Sequence, residues 1–287
     1  MKCIYIIYYI LLFVFAFLFQ SICLHITTKI YIDEMFTLYQ LNETYNQGKL
    51  IDIVGSNIKN NITIPILVLD YIGFIPLFAF ICLTIVSESS NNKSIKIFFK
   101  TMINGSILAI LKGLLDIVTI IPDSSGISVC KSRLTTEQYN YLHQLNFKDD
   151  FFQSLQEILK LDFFGFHGKR VRYCSDMLLS GHTYFIVLFC LGIYEIIINA
   201  FRFNRYQLWI IRLLFFMYTF IGVCLIEIDR FHYTVDVLLA IVLTILLWNC
   251  KSIEQFALNR SYEYYNINYD IENQYHNCVL KSESLNE

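Results

Sequence analysis

Two histidines and an aspartate stand at the beginning of two long apolar segments of this sequence. His182 lies in the stretch Cys-Ser-Asp-Met-Leu-Leu-Ser-Gly-His-Thr over residues 174–183, and an apolar run follows it. His232 and Asp236 lie about one helical turn apart in Phe-His-Tyr-Thr-Val-Asp-Val over residues 231–237, where another apolar run begins. An imidazole that a carboxylate orients can act as a nucleophile or a general base, so these three residues are the candidate catalytic groups.

The residues around His182 favour an anionic substrate. Gly181 allows the backbone to approach a ligand closely, and the first amides of a helix that begins there suit a phosphate. The candidate substrate-binding residues are Asp176, Ser180, Gly181 and Lys112. Arg172 and Arg230 are further basic candidates, and the sequence leaves open which of these bases point toward the site.

A zinc site is the alternative use of the same three catalytic candidates, since two histidines and an aspartate can form a three-ligand catalytic centre. Phosphoryl transfer, however, needs charge stabilisation and in-line positioning, which amide dipoles and basic side chains can supply. We therefore expect a site that uses no metal and no other cofactor.

The composition is that of an integral membrane protein. Hydrophobic residues make up 56% of the 287 residues and charged residues 16%, whereas about 25% of a typical soluble domain is charged. The net charge of -2 gives no basic excess, which argues against a nucleic-acid partner. The expected partners are membrane lipids.

The apolar runs predict an all-α protein with six transmembrane helices. Each run is close to the roughly 20 residues that cross the hydrocarbon of a bilayer. The predicted spans cover residues 3–24, 62–86, 97–121, 177–200, 208–228 and 233–249. Because the fourth and sixth spans then start on the same side, His182 and His232 are expected at the same depth.

The predicted spans divide the chain into three parts. Residues 1–61 hold the first span and a loop, residues 62–250 form a five-helix catalytic core with a long loop at 123–172, and residues 251–287 are predicted to be a disordered cytosolic tail. Basic residues of the short loops favour a cytosolic side opposite the histidines, and hence an exoplasmic site. These residues are Lys93, Lys96, Arg202 and Arg205, and they are offset by Lys29, Lys49 and Lys59 on the other side.

Lys112 and Asp116 lie four residues apart in the third span and therefore on one helical face. They are either functional residues inside the bundle or a helix-orienting pair near the interface, with Lys112 extended toward the headgroups.

The long loop carries two further features. Asp149-Asp150 are predicted to open an amphipathic helix on the bilayer surface, with one face formed by Phe151, Phe152, Leu155, Ile158 and Leu159. Cys130 and Cys174 flank this helix and are either two thiols or, in an oxidising lumen, a disulfide.

These motifs resemble those of the sphingomyelin synthase family, which is related to the lipid phosphate phosphatases. Residues 174–183 resemble the third motif of that family, with Ser175 where glycine is usual, and residues 232–237 resemble the fourth. The second motif is echoed by Lys112, Thr119 and Pro122, with lysine in place of arginine, and the first motif is not found.

The resemblance implies a lipid phosphate phosphatase-like helical bundle and a ceramide phosphotransferase activity. In the implied reaction phosphocholine moves from phosphatidylcholine to ceramide, giving sphingomyelin and diacylglycerol. His232, oriented by Asp236, would form a phosphohistidine while His182 exchanges protons with the two lipids. The implied location is the Golgi or plasma membrane.

The resemblance leaves several functions open. The headgroup transferred to ceramide could be phosphoethanolamine or phosphoinositol, because the catalytic residues do not determine it. The chain could instead be a lipid phosphate phosphatase, or a catalytically silent lipid scaffold or transporter. Assembly into a homo-oligomer is also left open.

Overall fold

The computed structural model of the chain is a bundle of long helices. It describes residues 2–41, 66–88, 93–122, 150–164, 175–176, 178–228 and 232–265, together with 137, 140 and 141. The helices are α1 (Lys2–Leu41), α2 (Ile66–Glu88), α3 (Lys93–Val118), α4 (Phe151–Phe164), α5 (Gly181–Ala200), α6 (Arg205–Ile228), α7 (Thr234–Trp248) and α8 (Lys251–Tyr265). Two short strands, β1 (Ile121–Pro122) and β2 (Ser175–Asp176), pair antiparallel.

Five of these helices, α1, α2, α3, α5 and α6, are long and apolar enough to cross a membrane. The pair formed by α7 and α8 passes the same test when it is counted as one span with a bend of 53°. The prediction of an all-helical, multi-pass membrane protein is therefore confirmed, with five spans or six when the bent pair is included.

α5 lies at the centre of the bundle and packs against α2, α3, α6 and α7. Its side chains Tyr184, Leu188 and Phe189 are fully buried. Gly192 allows close approach where α5 meets two neighbours, since an added Cβ would lie 2.7 Å from the Phe80 ring and 3.0 Å from Thr101 Oγ1. Small residues are the usual means by which membrane helices pack closely.

The helix directions define the two ends of the bundle. α2 runs parallel to α5 and α3 antiparallel to it, as shown by the contacts Asp70–His182 and Lys100–Glu195. The contacts Ser180–Asp236 and Arg212–Tyr194 likewise show that α7 runs parallel to α5 and α6 antiparallel to it. We call the end at which α3 finishes and α2, α5 and α7 begin the site end. The other is the opposite end.

α6 is the most outward of the spans, and half of its side chains are exposed in the isolated chain while only Gly222, Ile226 and Glu227 are buried. Large apolar residues such as Trp209, Leu213 and Phe216 are 59–69% exposed. In a bilayer these side chains contact lipid tails, which are as apolar as leucine itself. α6 is thus held mainly by the face that packs on α5.

α1 is longer than the predicted first span, which ended at residue 24. It continues to Leu41 because residues 25–41 contain neither glycine nor proline. Its apolar segment Ile4–Tyr31 is 28 residues long, or about 42 Å at the helical rise. Since the hydrocarbon core is about 30 Å thick, the later turns of α1 extend past it at the site end.

The prediction of a tail without regular structure after Lys251 was wrong for its first part. Residues 251–265 form α8, which packs on the opposite end of the bundle. Lys96 Nζ lies 2.8 Å from Glu254 Oε1, and the Tyr264 ring lies 6.2 Å from that of Phe99. Ala257 and Tyr264 are buried, so burial of one face of α8 stabilises it. Residues 266–287 lie outside the described residues.

The predicted amphipathic helix of the long loop is present as α4, but its predicted apolar face is not uniformly covered. Phe152 is 83% exposed, while Ser154 is 3% exposed. α4 contacts α1, so Ser154 and not Phe152 lies on a covered side of the helix. Its location on a bilayer surface stays a prediction.

Candidate active site

The start of α5 is fixed by a capping serine. Ser180 is the N-cap residue, and its Oγ accepts hydrogen bonds from the Thr183 amide at 3.4 Å and from the Thr183 hydroxyl at 2.9 Å. Both residues are fully buried. Such a cap satisfies one of the amides that lack a partner at a helix start. Gly181 and His182 are therefore the first two residues of α5.

The start of α7 is fixed by Asp236. Asp236 is fully buried, and its Oδ2 accepts a hydrogen bond from the Tyr233 amide at 2.9 Å. A carboxylate in the first turn also interacts favourably with the helix dipole. Asp236 therefore helps to begin α7 as well as lying near His232. The sequence analysis predicted the second of these roles and not the first.

His232 lies directly before α7 and is 3% exposed. Its Nδ1 lies 4.0 Å from Asp236 Oδ2, a distance at which charges interact but which exceeds that of a hydrogen bond. Burial lowers the pKa of His232 to about 3. The nearby Asp236 carboxylate raises this pKa by less than burial lowers it, and Lys112 and His182 lower it further. The imidazole is therefore neutral near pH 7, the form in which it can act as a nucleophile.

A backbone hydrogen bond joins the two motifs. The Ser180 amide donates to the carbonyl oxygen of Asp236 at 3.3 Å. The residue before α5 is thereby attached to the first turn of α7, although the motifs are far apart in the sequence. The two histidines lie at the same end of the bundle, as the order of the membrane crossings predicts.

His182 has a carboxylate partner on a third helix. Its Nε2 lies 3.2 Å from Oδ1 of Asp70 in α2, within hydrogen-bond distance. The side chain of His182 is 25% exposed and that of Asp70 13%, so this pair is more accessible than His232. Each histidine is thus near a different aspartate.

Asp70 and one further carboxylate were not among the residues predicted from the sequence. Glu227, near the end of α6, is 9% exposed, and its Oε2 accepts a hydrogen bond from the Thr234 hydroxyl at 3.2 Å. The signal available was a single acidic residue inside an apolar run, which in a membrane helix usually faces a partner or a cavity. Neither residue lies in the two histidine motifs, so the motifs alone do not point to them.

Lys112 and Asp116 form an ion pair inside the bundle, with Nζ and Oδ1 3.3 Å apart and side chains 2% and 0% exposed. The alternative in which Lys112 extends to the interface is therefore wrong. The pair lies beside the start of α5, since a Cβ on Gly181 would be 3.2 Å from Lys112 Cε. Thr27 of α1 donates to the Asp116 carbonyl at 3.1 Å, which ties α1 to the same place.

A second link from α1 reaches the first turns of α5. The hydroxyl of the fully buried Tyr184 donates to Gln20 Oε1 at 2.5 Å. A Cβ on Gly181 would also lie 3.4 Å from Gln20 Nε2. α1, α3 and α5 therefore meet beneath His182, which gives the first turn of α5 little freedom to move.

Of the remaining residues predicted to belong to the site, the structure describes the backbone of one and does not describe the others. Asp176 lies in β2, where its backbone pairs with Ile121 of β1, so the end of α3 is joined to the segment that leads to α5. Arg172, Arg230, Cys130 and Cys174 lie outside the described residues. The substrate contacts of the basic loop residues stay predictions, and both alternatives for the two cysteines, free thiols or a disulfide, stay open.

The zinc alternative depends on whether the possible ligands converge. Within the described ranges, no group of three or more His, Cys, Asp or Glu side chains is placed to hold one metal ion. His232 and Asp236 are close to each other, and His182 is instead next to Asp70.

Comparison with known proteins adds a family relationship for part of the chain. Residues 173–253 match the family described as PAP2 superfamily C-terminal. This segment contains both histidine motifs and runs from before α5 into α8. No curated protein matches the chain. The match and the helical bundle together support a relationship to the lipid phosphate phosphatase superfamily, whose members include phosphatases and phosphotransferases that act on lipids.

Proposed function

We propose that the protein is a ceramide phosphotransferase of the sphingomyelin synthase type, which moves phosphocholine from phosphatidylcholine to ceramide. The observation that carries this proposal is the Ser180–Asp236 hydrogen bond, which holds together the starts of α5 and α7, with His182 in the first turn of α5 and His232 just before α7. A lipid phosphate group that reaches the site end can then contact both histidines.

In the first step, Nε2 of the neutral His232 attacks the phosphorus of phosphatidylcholine. A P–N bond forms and the P–O bond to the glycerol breaks, while His182 in its protonated form gives a proton to the departing diacylglycerol oxygen. Asp236, 4.0 Å from Nδ1, stabilises the positive charge that the ring acquires. The product is a phosphocholine group on His232.

In the second step, the primary hydroxyl of ceramide attacks the same phosphorus. Its proton passes to His182, the P–N bond breaks, and His232 returns to its neutral form. Asp70 is the positioning residue for His182, because a carboxylate at Nε2 fixes the ring and stabilises the imidazolium that is present before the first step and again after the second. Proton exchange with the lipids then takes place at Nδ1.

The phosphate is bound by the first amides of α5 and by Lys112. The amides of Gly181 and His182 lie at the positive end of a 20-residue helix. Lys112 is adjacent, and sharing its ammonium between Asp116 and the phosphate requires only a small movement of a flexible side chain. Ser180 and Asp176 complete the proposed substrate-binding set.

The experiment is to give purified protein in lipid nanodiscs labelled ceramide and a panel of donors that includes phosphatidylcholine, phosphatidylethanolamine, phosphatidylinositol and phosphatidic acid. Sphingomyelin is the expected product, formed in the presence of excess EDTA and absent with His232→Ala. Without ceramide, diacylglycerol should be released while phosphocholine accumulates on His232. Label on another residue, or turnover with no labelled protein, would refute the mechanism.

A lipid phosphate phosphatase is the second candidate, and the PAP2 superfamily match favours it. The chemistry is the same except that water replaces ceramide in the second step. Release of inorganic phosphate from phosphatidic acid, with no labelled ceramide product, would support this candidate. Loss of activity on EDTA treatment that zinc restores would instead support the metal alternative.

A further inference from the structure

α6 and α7 leave a gap between them, and α5 closes it from behind. Both helices pack against α5, and a cavity of about 400 Å³ lies where the three helices face one another. Its lining includes Cys190 and Tyr194 of α5, Phe220 and Val223 of α6, and Ile245 of α7. Phe220 and Ile245 are also partly exposed on the outer surface, so the cavity opens toward the lipid.

The cavity runs along the helices and so across the membrane. On α6 its lining extends from Arg212 to Val223, which corresponds to about 16 Å at the helical rise. On α5 it begins at Val187, about 7 Å along the helix from His182. This distance leaves room for the polar part of a lipid between the histidine and the near end of the cavity.

The far end of the cavity is its polar part. There Arg212 Nε donates a hydrogen bond to the Tyr194 hydroxyl at 2.8 Å, whereas the rest of the lining is almost entirely apolar. Burial of a hydrocarbon chain against apolar side chains is favourable in free energy, whereas covering the polar groups of a hydrogen-bonded pair is unfavourable. The Arg212–Tyr194 pair therefore marks the depth at which an apolar ligand should stop.

We propose that this cavity binds one acyl chain of the lipid whose phosphate reacts at the histidines, and that its depth selects the chain length. The inference rests on the proposed function, which puts a lipid phosphate at the start of α5. A lipid held there has its acyl chains directed along the bundle toward the membrane midplane, and the cavity begins on the same helix in that direction. Its apolar lining and its length match a single chain.

The activity test compares two neighbouring residues of α7. Ile245→Trp places an indole in the cavity, whereas Leu246→Trp, at a residue that is 62% exposed and not part of the lining, places it in lipid. The quantity measured is the ratio of kcat/KM for a long-chain phosphatidylcholine to kcat/KM for a short-chain one. Ile245→Trp should lower this ratio about tenfold, which is the scale of losing a methylene-sized contact in an apolar pocket. Leu246→Trp should leave this ratio unchanged. Equal ratios in the two variants would overturn the proposal.

A second measurement needs no turnover. Phosphatidylcholine with a photoactivatable group at the end of one acyl chain is added to the protein in nanodiscs, and labelled residues are mapped. Labelling should concentrate near Tyr194 and Arg212, persist in His232→Ala, and fall several-fold in Ile245→Trp but not in Leu246→Trp. Labelling that is the same in both tryptophan variants would overturn the acyl-chain site.

The two measurements separate failure of this inference from failure of the proposed function. If the photoactivatable lipid labels the cavity as expected and no donor is turned over, the proposed reaction is wrong and the acyl-chain site stands. If an excess of anionic lipid removes the label while neutral lipid does not, Arg212 binds a headgroup from the opposite leaflet. That result would contradict a chain descending from the site.

Discussion

Oδ1 of Asp70 lies 3.2 Å from Nε2 of His182, so a carboxylate of α2 contacts a histidine of α5 at the site end. The other histidine, His232, lies 4.0 Å from Asp236 of α7. The two imidazoles therefore have separate acidic neighbours and different exposure. This asymmetry fits a division of work in which one ring forms a covalent bond and the other exchanges protons.

The first prediction concerns Asp70. Asp70→Asn retains the shape of the side chain and removes its charge, so kcat should fall by about 100-fold, within the range of general acid–base contributions. KM should change little, because Asp70 acts through His182 and not on the lipid. Asp70→Glu should recover part of the rate. The measurement is steady-state transfer with labelled ceramide.

Thr84→Val is the matched control for Asp70, since Thr84 is a buried polar residue of the same helix near the opposite end, where it donates to the Phe80 carbonyl. Thr84→Val should leave kcat within about twofold of wild type, because removing the Thr84 hydroxyl affects only a local hydrogen bond. An increase in KM alone for Asp70→Asn, or an equal loss of kcat in Thr84→Val, would rule out the positioning role.

The second prediction concerns acid stability. The folded protein binds a proton on His232 less readily than the unfolded chain does, because burial lowers the pKa from 6.5 to about 3. Unfolding therefore takes up a proton between these values, and stability should decrease as the pH falls from about 6.5 toward 3. Above pH 6.5 this contribution is constant.

His232→Gln removes the titrating group and keeps a polar side chain of similar size. Its thermal unfolding temperature in detergent should depend less on pH between 6.5 and 4 than that of the wild type. His182→Gln, at a more exposed site, serves as the comparison. An identical pH dependence in wild type and His232→Gln would show that the buried imidazole does not control acid stability.

The third prediction concerns the buried Lys112–Asp116 pair. Removing one partner of such a pair leaves a buried charge and costs about 3–5 kcal/mol. Asp116→Leu and Lys112→Met should each lower the unfolding temperature strongly, whereas the double variant should recover most of the loss. The measurement is thermal unfolding in detergent, with transfer activity recorded for each variant.

The double variant also separates structure from substrate binding. If Lys112 contacts the lipid phosphate, the double variant should keep a low activity and an increased KM even though its fold is restored. Full recovery of both stability and KM would show that the pair serves only to join the turns of α3. Ser106→Ala, elsewhere on α3, controls for loss of a buried polar group.

The fourth prediction concerns orientation in the membrane. With an exoplasmic site, a cysteine at Phe152 in α4 should react with a membrane-impermeant maleimide on intact cells, once native cysteines are replaced. A cysteine at Tyr262 in α8, at the opposite end, should react only after permeabilisation. Both side chains are at least 60% exposed. Labelling of Tyr262→Cys alone on intact cells would reverse the orientation and leave the chemistry unaffected.

The sequence allowed the multi-pass helical architecture and the end occupied by the histidines to be predicted, with six spans expected where the structure has five, or six when α7 and α8 are counted as one bent span. Apolar run length determines whether a helix crosses the bilayer, and counting the crossings brings His182 and His232 to one end. Apart from the end of α1, the spans were also placed within a few residues of the helices, as for α6, which begins at Arg205 where residue 208 was predicted.

The partners that lie between helices could not be predicted in this way. Asp70 meets His182 only because α2 and α5 run parallel and pack closely, and hydropathy contains no information on which spans are neighbours. The same applies to Thr27 and Asp116, which join α1 to α3. α8 was missed because its helix is stabilised by contacts of Ala257 and Tyr264 with the bundle and not by a strong local pattern.

The hydrogen bond from the Ser180 amide to the Asp236 carbonyl has a consequence for biogenesis. Its donor enters the membrane with α5, and its acceptor, in the first turn of α7, is translated only after α6. Until the last span is inserted, this buried amide lacks the partner it has in the finished protein. Completion of the site is therefore coupled to insertion of α7, and a product truncated before α7 should be recognised as unfinished by membrane quality control.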